Sequence, residues 1–196
     1  MQAHIYYQAG QDAFGKLIDA KFASVYLQYA VQKKVNIGWG CDFLSGKNAK
    51  KTSTKNQSFN TLYATNHKYY GHMDYFVNVP KYTKGAGLID VYLKSFYKVN
   101  EKGSISLDMH YFMLGNNLND PNNAGAFLKR NLGFETDLFG SIKPADFCEI
   151  KLGYSHMFGT PSLENLAKVP NATHNTYSGW AWVQLNVTPT FFKHPF

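Results

Sequence analysis

No apolar run in this chain approaches the roughly 20 residues of a membrane-spanning helix, so a helical membrane protein is excluded. Charge is sparse: 17% of the residues are Asp, Glu, Lys or Arg, with 13 acids against 20 Lys plus Arg. The resulting net charge of +7 points to anionic partners of some kind. Cysteine is limited to Cys41 and Cys148, and neither stands in a metal-ligand spacing. Both fall on the apolar parity of strand-like segments, so two unpaired thiols are expected. Seven histidines are present, among them His67 and His72 near Asp74, and His110 near Asp108. They lack an accompanying Ser or Cys nucleophile motif, which argues against a hydrolase. The Asn116 to Asn123 stretch with Asp120 lacks EF-hand spacing, and the basic residues match no nucleic-acid-binding motif. No catalytic activity, metal, cofactor or nucleic-acid partner is expected. A leader is missing too: Met1-Gln2-Ala3-His4 runs straight into Ile5-Tyr6-Tyr7 without charged and apolar leader regions. Either the chain is a mature or truncated piece of a longer protein, or it is not an exported membrane protein.

Aromatics are abundant, 16% of the chain with 14 Tyr and 15 Phe, and strands favour them. Period-two alternation recurs from end to end. It predicts strands over residues 4–10, 18–31, 35–44, 88–99, 104–115, 129–143, 147–159 and a last one from 181 onward. The pattern is clearest at 35–44, where Val35, Ile37, Trp39, Cys41 and Phe43 oppose Asn36, Gly38, Gly40 and Asp42. The last strand alternates Ala181, Val183, Leu185, Val187, Pro189 and Phe191 with Trp182, Gln184, Asn186 and Thr188, and the chain stops at Phe196.

The connections carry the architecture. From the second strand onward they alternate short and long, so the long loops share one end and the tight turns the other. Short periplasmic turns, long outer loops and a C-terminus at the turn end are the plan of an outer-membrane barrel. The longest connection, residues 45–87, holds Lys47, Lys50, Lys51, Lys55, Lys68, Lys81 and Lys84 against the single acid Asp74, a local charge of +6. Loops of that size are uncommon unless functional. This one is expected to project outside the cell, with strand-like structure over 67–76.

Within 45–87, the stretch Phe59-Asn60-Thr61-Leu62-Tyr63-Ala64-Thr65-Asn66-His67-Lys68-Tyr69-Tyr70-Gly71-His72-Met73-Asp74-Tyr75-Phe76 follows Asp42-Phe43-Leu44-Ser45-Gly46. It resembles the signature of alginate-export-type outer-membrane porins from Bacteroidota. Asp120-Pro121-Asn122-Asn123-Ala124-Gly125, Gly153-Tyr154-Ser155-His156-Met157-Phe158 and Pro189-Thr190-Phe191-Phe192-Lys193 resemble that family as well. Phe59, Leu62, Tyr63, Asn66, His67, Lys68, Gly71, Asp74 and Phe76 carry the signature. The resemblance implies an antiparallel up-and-down transmembrane barrel of about 18 strands, of which this chain would supply about eight as the C-terminal part.

The expected fold is therefore all-β, one barrel region over residues 1–196, in a bacterial outer membrane. Asp90, Lys94, Lys98, Asp108, His110, Glu135, Asp137, Glu149 and Lys151 are expected to line the lumen. Phe43, Tyr111, Tyr154 and Phe158 should form the outer aromatic girdle, and Tyr29, Tyr97 and Phe191 the periplasmic one. The expected function is passive passage of polar or anionic solutes, possible substrates being acidic saccharides, with the loop lysines facing anions. The alternatives are a structural or adhesive barrel whose lysines bind lipopolysaccharide, and a soluble lipocalin-type barrel with inverted faces. Outer-membrane lipid and, through the strand ending in Phe196, the barrel-assembly machinery are the expected partners.

Overall fold

The computed structural model describes residues 1–62, 69–167 and 178–189. Eight strands run in chain order: β1 (Gln2–Gln11), β2 (Leu17–Gln32), β3 (Val35–Leu44), β4 (Leu88–Asn100), β5 (Gly103–Leu114), β6 (Asn131–Ala145), β7 (Cys148–Gly159) and β8 (Ser178–Val187). Each pairs antiparallel with the next, so the fold is an all-β, eight-stranded meander. Among the described residues β1 and β8 pair with one neighbour each, and the sheet is not closed into a barrel. Two-residue turns, Lys33-Lys34, Glu101-Lys102 and Asp146-Phe147, join β2–β3, β4–β5 and β6–β7. A register shift lies beside each, at Ala30/Gln32, Lys98/Asn100 and Ile142/Ala145. Such bulges sharpen local twist. At the β4–β5 turn Asn100 accepts the Lys102 N–H at 2.8 Å, and Lys98 grips Glu101 at 2.7 Å. That ammonium holds the Glu101 carboxyl below its ordinary range.

Period two dictates two faces, and the register keeps them continuous. One row joins Tyr29, Ile37, Ser95, Leu107, Leu138, Tyr154 and Ala181. It starts near a tight turn on β2 and ends near the long-loop end of β8, so successive strands are staggered. Stagger of this kind accompanies tilted strands. Val183 and Leu185 on this face are 77% and 62% exposed, and Trp39 is 46% exposed.

The opposite face is the covered one. Near the long-loop end its residues are apolar: Leu44, Leu88, Phe112 and Leu114 are fully buried. What covers them is the 45–87 excursion. It does not project from the rim as expected but folds back over the polar face. Phe76 packs against Phe112 in a tilted pair with ring centroids 4.6 Å apart. Phe59, Tyr70, Val79 and Ala86 complete the same core, and Leu163 and Leu166 of the helix Pro161–Ala167 join it. A four-residue helix, Val79–Tyr82, is capped by Asn78, whose side chain accepts the Lys81 N–H at 3.1 Å. Where the excursion leaves and returns, the backbones touch: Gly115 N–H donates to Gly87 O at 3.0 Å and Lys47 N–H to Gly85 O at 2.7 Å. Gly87 has φ +77°, and a side chain there would meet the backbone of Leu44 to Gly46.

The strand-like structure expected over 67–76 is not found in its described part. Residues 69–76 form bends, turns and irregular backbone, and the amides of His72 and Met73 donate to Asp137 and Glu135 on the sheet rather than to a strand partner. Cys41 and Cys148 are free, on strands separated by β4, β5 and β6.

Phe76→Ala is expected to cost about 3–5 kcal/mol, the usual cost of emptying a buried aromatic site. Phe14→Ala, at a position 96% exposed, should cost almost nothing. Urea unfolding midpoints of the two variants measure the difference.

Candidate functional site

Acids accumulate on the polar face because strand alternation delivers them there. Two neighbouring rows carry Tyr26, Gly40, Tyr92, His110, Glu135 and Met157, then Gly38, Lys94, Asp108, Asp137 and Ser155. Asp42 and Asp90 face each other in the next row toward the loops. Asp42, Asp90, Asp108, His110, Glu135 and Asp137 are all buried. A buried charge needs donors, and each acid finds some. Ser24 donates to Asp42 at 2.6 Å. Nδ1 of His110 meets both Asp90 oxygens, at 2.9 and 3.1 Å. Lys94 pairs with Asp108 at 3.1 Å and lies 5.5 Å from the Tyr92 ring centre.

Glu135 and Asp137 receive their donors from the excursion. Met73 N–H donates to Glu135 at 2.7 Å, and His72 N–H reaches Asp137 at 3.4 Å. The His72 ring packs 5.0 Å from Phe139. Gly71, at φ +82°, is needed here because a Cβ would overlap the Glu135 carboxyl. Beside it Tyr70 is buried, and burial pushes its phenol up, so it stays neutral.

Between β1–β5 and the excursion lies a cleft of about 830 Å³. Aromatic rings line it in two series. Tyr26 stacks on Tyr92 at 6.0 Å and Tyr92 on His110 at 5.5 Å. Tyr6, Phe22 and Phe59 follow one another at 5.7 and 5.4 Å. Gly38 and Gly40 make room for the first series, since a Cβ at either would strike the Tyr26 or Tyr92 ring. A clasp closes one border: Gln8 Nε2 donates to Asn60 O at 2.6 Å, and Asn60 N–H returns to Gln8 Oε1 at 3.0 Å.

Of the residues expected to line a lumen, Asp90, Lys94, Asp108, His110, Glu135 and Asp137 are brought together on this face. Glu149 and Lys151 pair with each other at 3.4 Å nearer the tight turns, as Lys98 does with Glu101. Lys47, Lys50, Lys51, Lys55, Lys81 and Lys84 are exposed. Lys50 lies 5.0 Å from the Phe127 ring centre, Lys55 lies 3.8 Å from Asp19, and Lys84 donates to Asn165 O at 3.1 Å. Of the resemblance residues, Phe59 and Phe76 are core, Gly71 is the close approach, Leu62 lines the cleft, and Asp74 adopts φ +60°. Tyr63, Asn66, His67 and Lys68 lie outside the described residues, as do Phe191 and Phe196. Tyr29, Phe43, Tyr97, Tyr111, Tyr154 and Phe158 stand exposed on the apolar face.

The aromatic residues of the cleft were missed by the sequence reading. Tyr26 and Tyr92 stand on the polar parity, and their signal was the pair of glycines in the facing strand. No protein-family model matches the chain, and no curated protein matches it.

Glu135→Ala removes the acceptor of the Met73 N–H. A hydrogen bond in a fold contributes about 0.5–1.5 kcal/mol, so local opening of residues 69–79 should rise roughly 2- to 10-fold. Limited proteolysis within that segment reads the change, and Glu149→Ala should leave it unaltered.

Proposed function

We propose that this chain forms part of the wall of a transmembrane β-barrel in a bacterial outer membrane, and that the barrel passes polar solutes. The observation that carries the reading is the inversion of the sheet. Its acids are buried and its apolar side is bare: Glu135 is 0% exposed and Val183 is 77% exposed. In water that arrangement is costly, since exposed apolar area goes unrewarded. In a bilayer the same face meets hydrocarbon and the polar face meets the lumen. Two unpaired edges favour further strands beside β1 and β8, because bare edges invite pairing. The alginate-export-type resemblance supports the same architecture and a larger barrel.

The charges are segregated. Exposed lysines of 45–55 lie at the long-loop end, whereas the wall carries Asp42, Asp90, Asp108, Glu135 and Asp137. At physiological salt the lysines act over about 8 Å, which suits a vestibule that gathers anions. A second reading has support from the same exposure: the lysines bind lipopolysaccharide phosphates and the barrel is structural. Reversal potentials of the full-length protein in a salt gradient separate the two. Changing Lys47, Lys50, Lys51 and Lys55 to Glu should shift selectivity toward cations, and unchanged selectivity would favour the lipid-binding reading.

The membrane reading has its own test. Val91→Arg should destabilise the protein refolded in phospholipid vesicles by about 2–4 kcal/mol if the position lies near the midplane, while Lys94→Arg should be mild. Equal effects of the two would remove the reading.

A further inference from the structure

We propose that the cleft between β1–β5 and the returning excursion is a binding site for a linear neutral saccharide, and that it disfavours acidic ones. The proposal rests on the polar face being the solute-facing wall, and it names the solute that this wall recognises.

The size fits first. About 830 Å³ lies within the range of roughly 300–1,000 Å³ that holds drug-sized ligands. The lining fits next. A pyranose presents C–H bonds on its flat faces and hydroxyls around its edge. The C–H bonds carry partial positive charge and suit the negative face of an aromatic ring. The cleft offers ring faces in two series: Tyr26 with Tyr92, and Tyr6 with Phe22 and Phe59. Gly38 and Gly40 let the tyrosines fold down against the sheet. Between and around the rings stand Gln2, His4, Gln8 and Asn60, which exchange hydrogen bonds with hydroxyls. Rings without polar edges would suit an apolar ligand; polar edges without rings would suit an ion. The combination suits a sugar.

Charge then decides which sugar. Asp42 and Asp90 lie on the floor of the cleft, and among the described residues Lys94 is its one lysine. That lysine is already held by Asp108 at 3.1 Å. Asp90 is bonded by His110, but the donors to Asp42 are the neutral hydroxyls of Ser24 and Tyr92. A uronate bound across Tyr92 would therefore bring a second carboxylate beside one with no cationic partner, and like charges repel. A neutral saccharide escapes this penalty. The wall thus selects against the anions that the lysines of the long-loop end gather.

The test is isothermal titration calorimetry of the full-length protein, refolded in a sugar-free zwitterionic detergent. The probes are maltopentaose, cellopentaose and the β-1,4 pentasaccharide of mannuronate. At least one neutral probe should bind, and the mannuronate probe should bind at least about tenfold more weakly. Tyr92→Ala should weaken the neutral probe by about tenfold or more. Tyr92→Leu keeps apolar bulk and should weaken it similarly, so a fold defect in the alanine variant does not decide the matter. Asp42→Asn should narrow the gap between neutral and acidic probes. No heat with either neutral probe, tighter binding of the mannuronate probe, or full binding by Tyr92→Leu would overturn the proposal. Binding by a chain that shows no lipid preference for Val91 over Arg keeps the cleft and removes the channel; lipid preference without binding does the reverse.

Discussion

The structure depends on buried carboxylates finding donors. Glu135 and Asp137 sit two residues apart on one strand, so alternation points both into the covered face. The sheet's own amides are already paired in the ladder. Donors come instead from the excursion, through the N–H groups of Met73 and His72. That requirement brings residues 71–73 against the wall, demands glycine at 71, and sets Phe76 onto Phe112. Each oxygen pair is only partly met: Glu135 Oε2 and Asp137 Oδ1 have no hydrogen-bond partner among the described residues. A half-satisfied polar cluster is sensitive to any displacement of its donors, so the excursion and the wall are energetically one unit.

With the excursion in place the molecule has two apolar surfaces of different fate. The one toward the long-loop end, formed by Leu44, Leu88, Phe112 and Leu114, is roofed by Phe59, Phe76 and Val79. The one on the other face, with Trp39, Leu138, Leu152 and Val183, is covered by nothing among the described residues. A soluble sandwich covers its bare face with a second sheet. Here the polar face takes the cover and the apolar face is left, the inversion expected where hydrocarbon replaces water. The division of charge follows the same geometry. Lysines have long, well-hydrated side chains and occupy the exposed turns of 47–55. Carboxylates stand on strand positions, where alternation turns them inward.

Most of the meander was legible because period two is a local signal. The first seven strands begin and end within two residues of where alternation put them. The placement of Asp90, His110, Glu135 and Asp137 on one face followed from the same count. The path of the excursion was not legible. Its decisive contact joins Met73 to Glu135, 62 residues away, and no periodicity encodes such a pairing. Its composition suggested a solvated loop, since lysines dominate 47–55, yet the 69–79 part is apolar and becomes core. Treating each strand face as uniform also concealed the apolar end of the polar face: Leu44 and Leu88 follow the same parity as Asp42 and Asp90. The cleft went unseen because it needs both the inward-folded excursion and the rings over Gly38 and Gly40.

The most direct measurement of the central claim uses the protein's own tryptophans. Trp39 stands on the bare apolar face, and Trp182 stands opposite Gly153 on the polar face. Two single-tryptophan variants, one keeping Trp39 and one keeping Trp182 with the others changed to Phe, are refolded in vesicles whose acyl chains carry bromine. Strong quenching of Trp39 fluorescence with little quenching of Trp182 is the result this account predicts. Unquenched Trp39, or equal quenching of both, would contradict it.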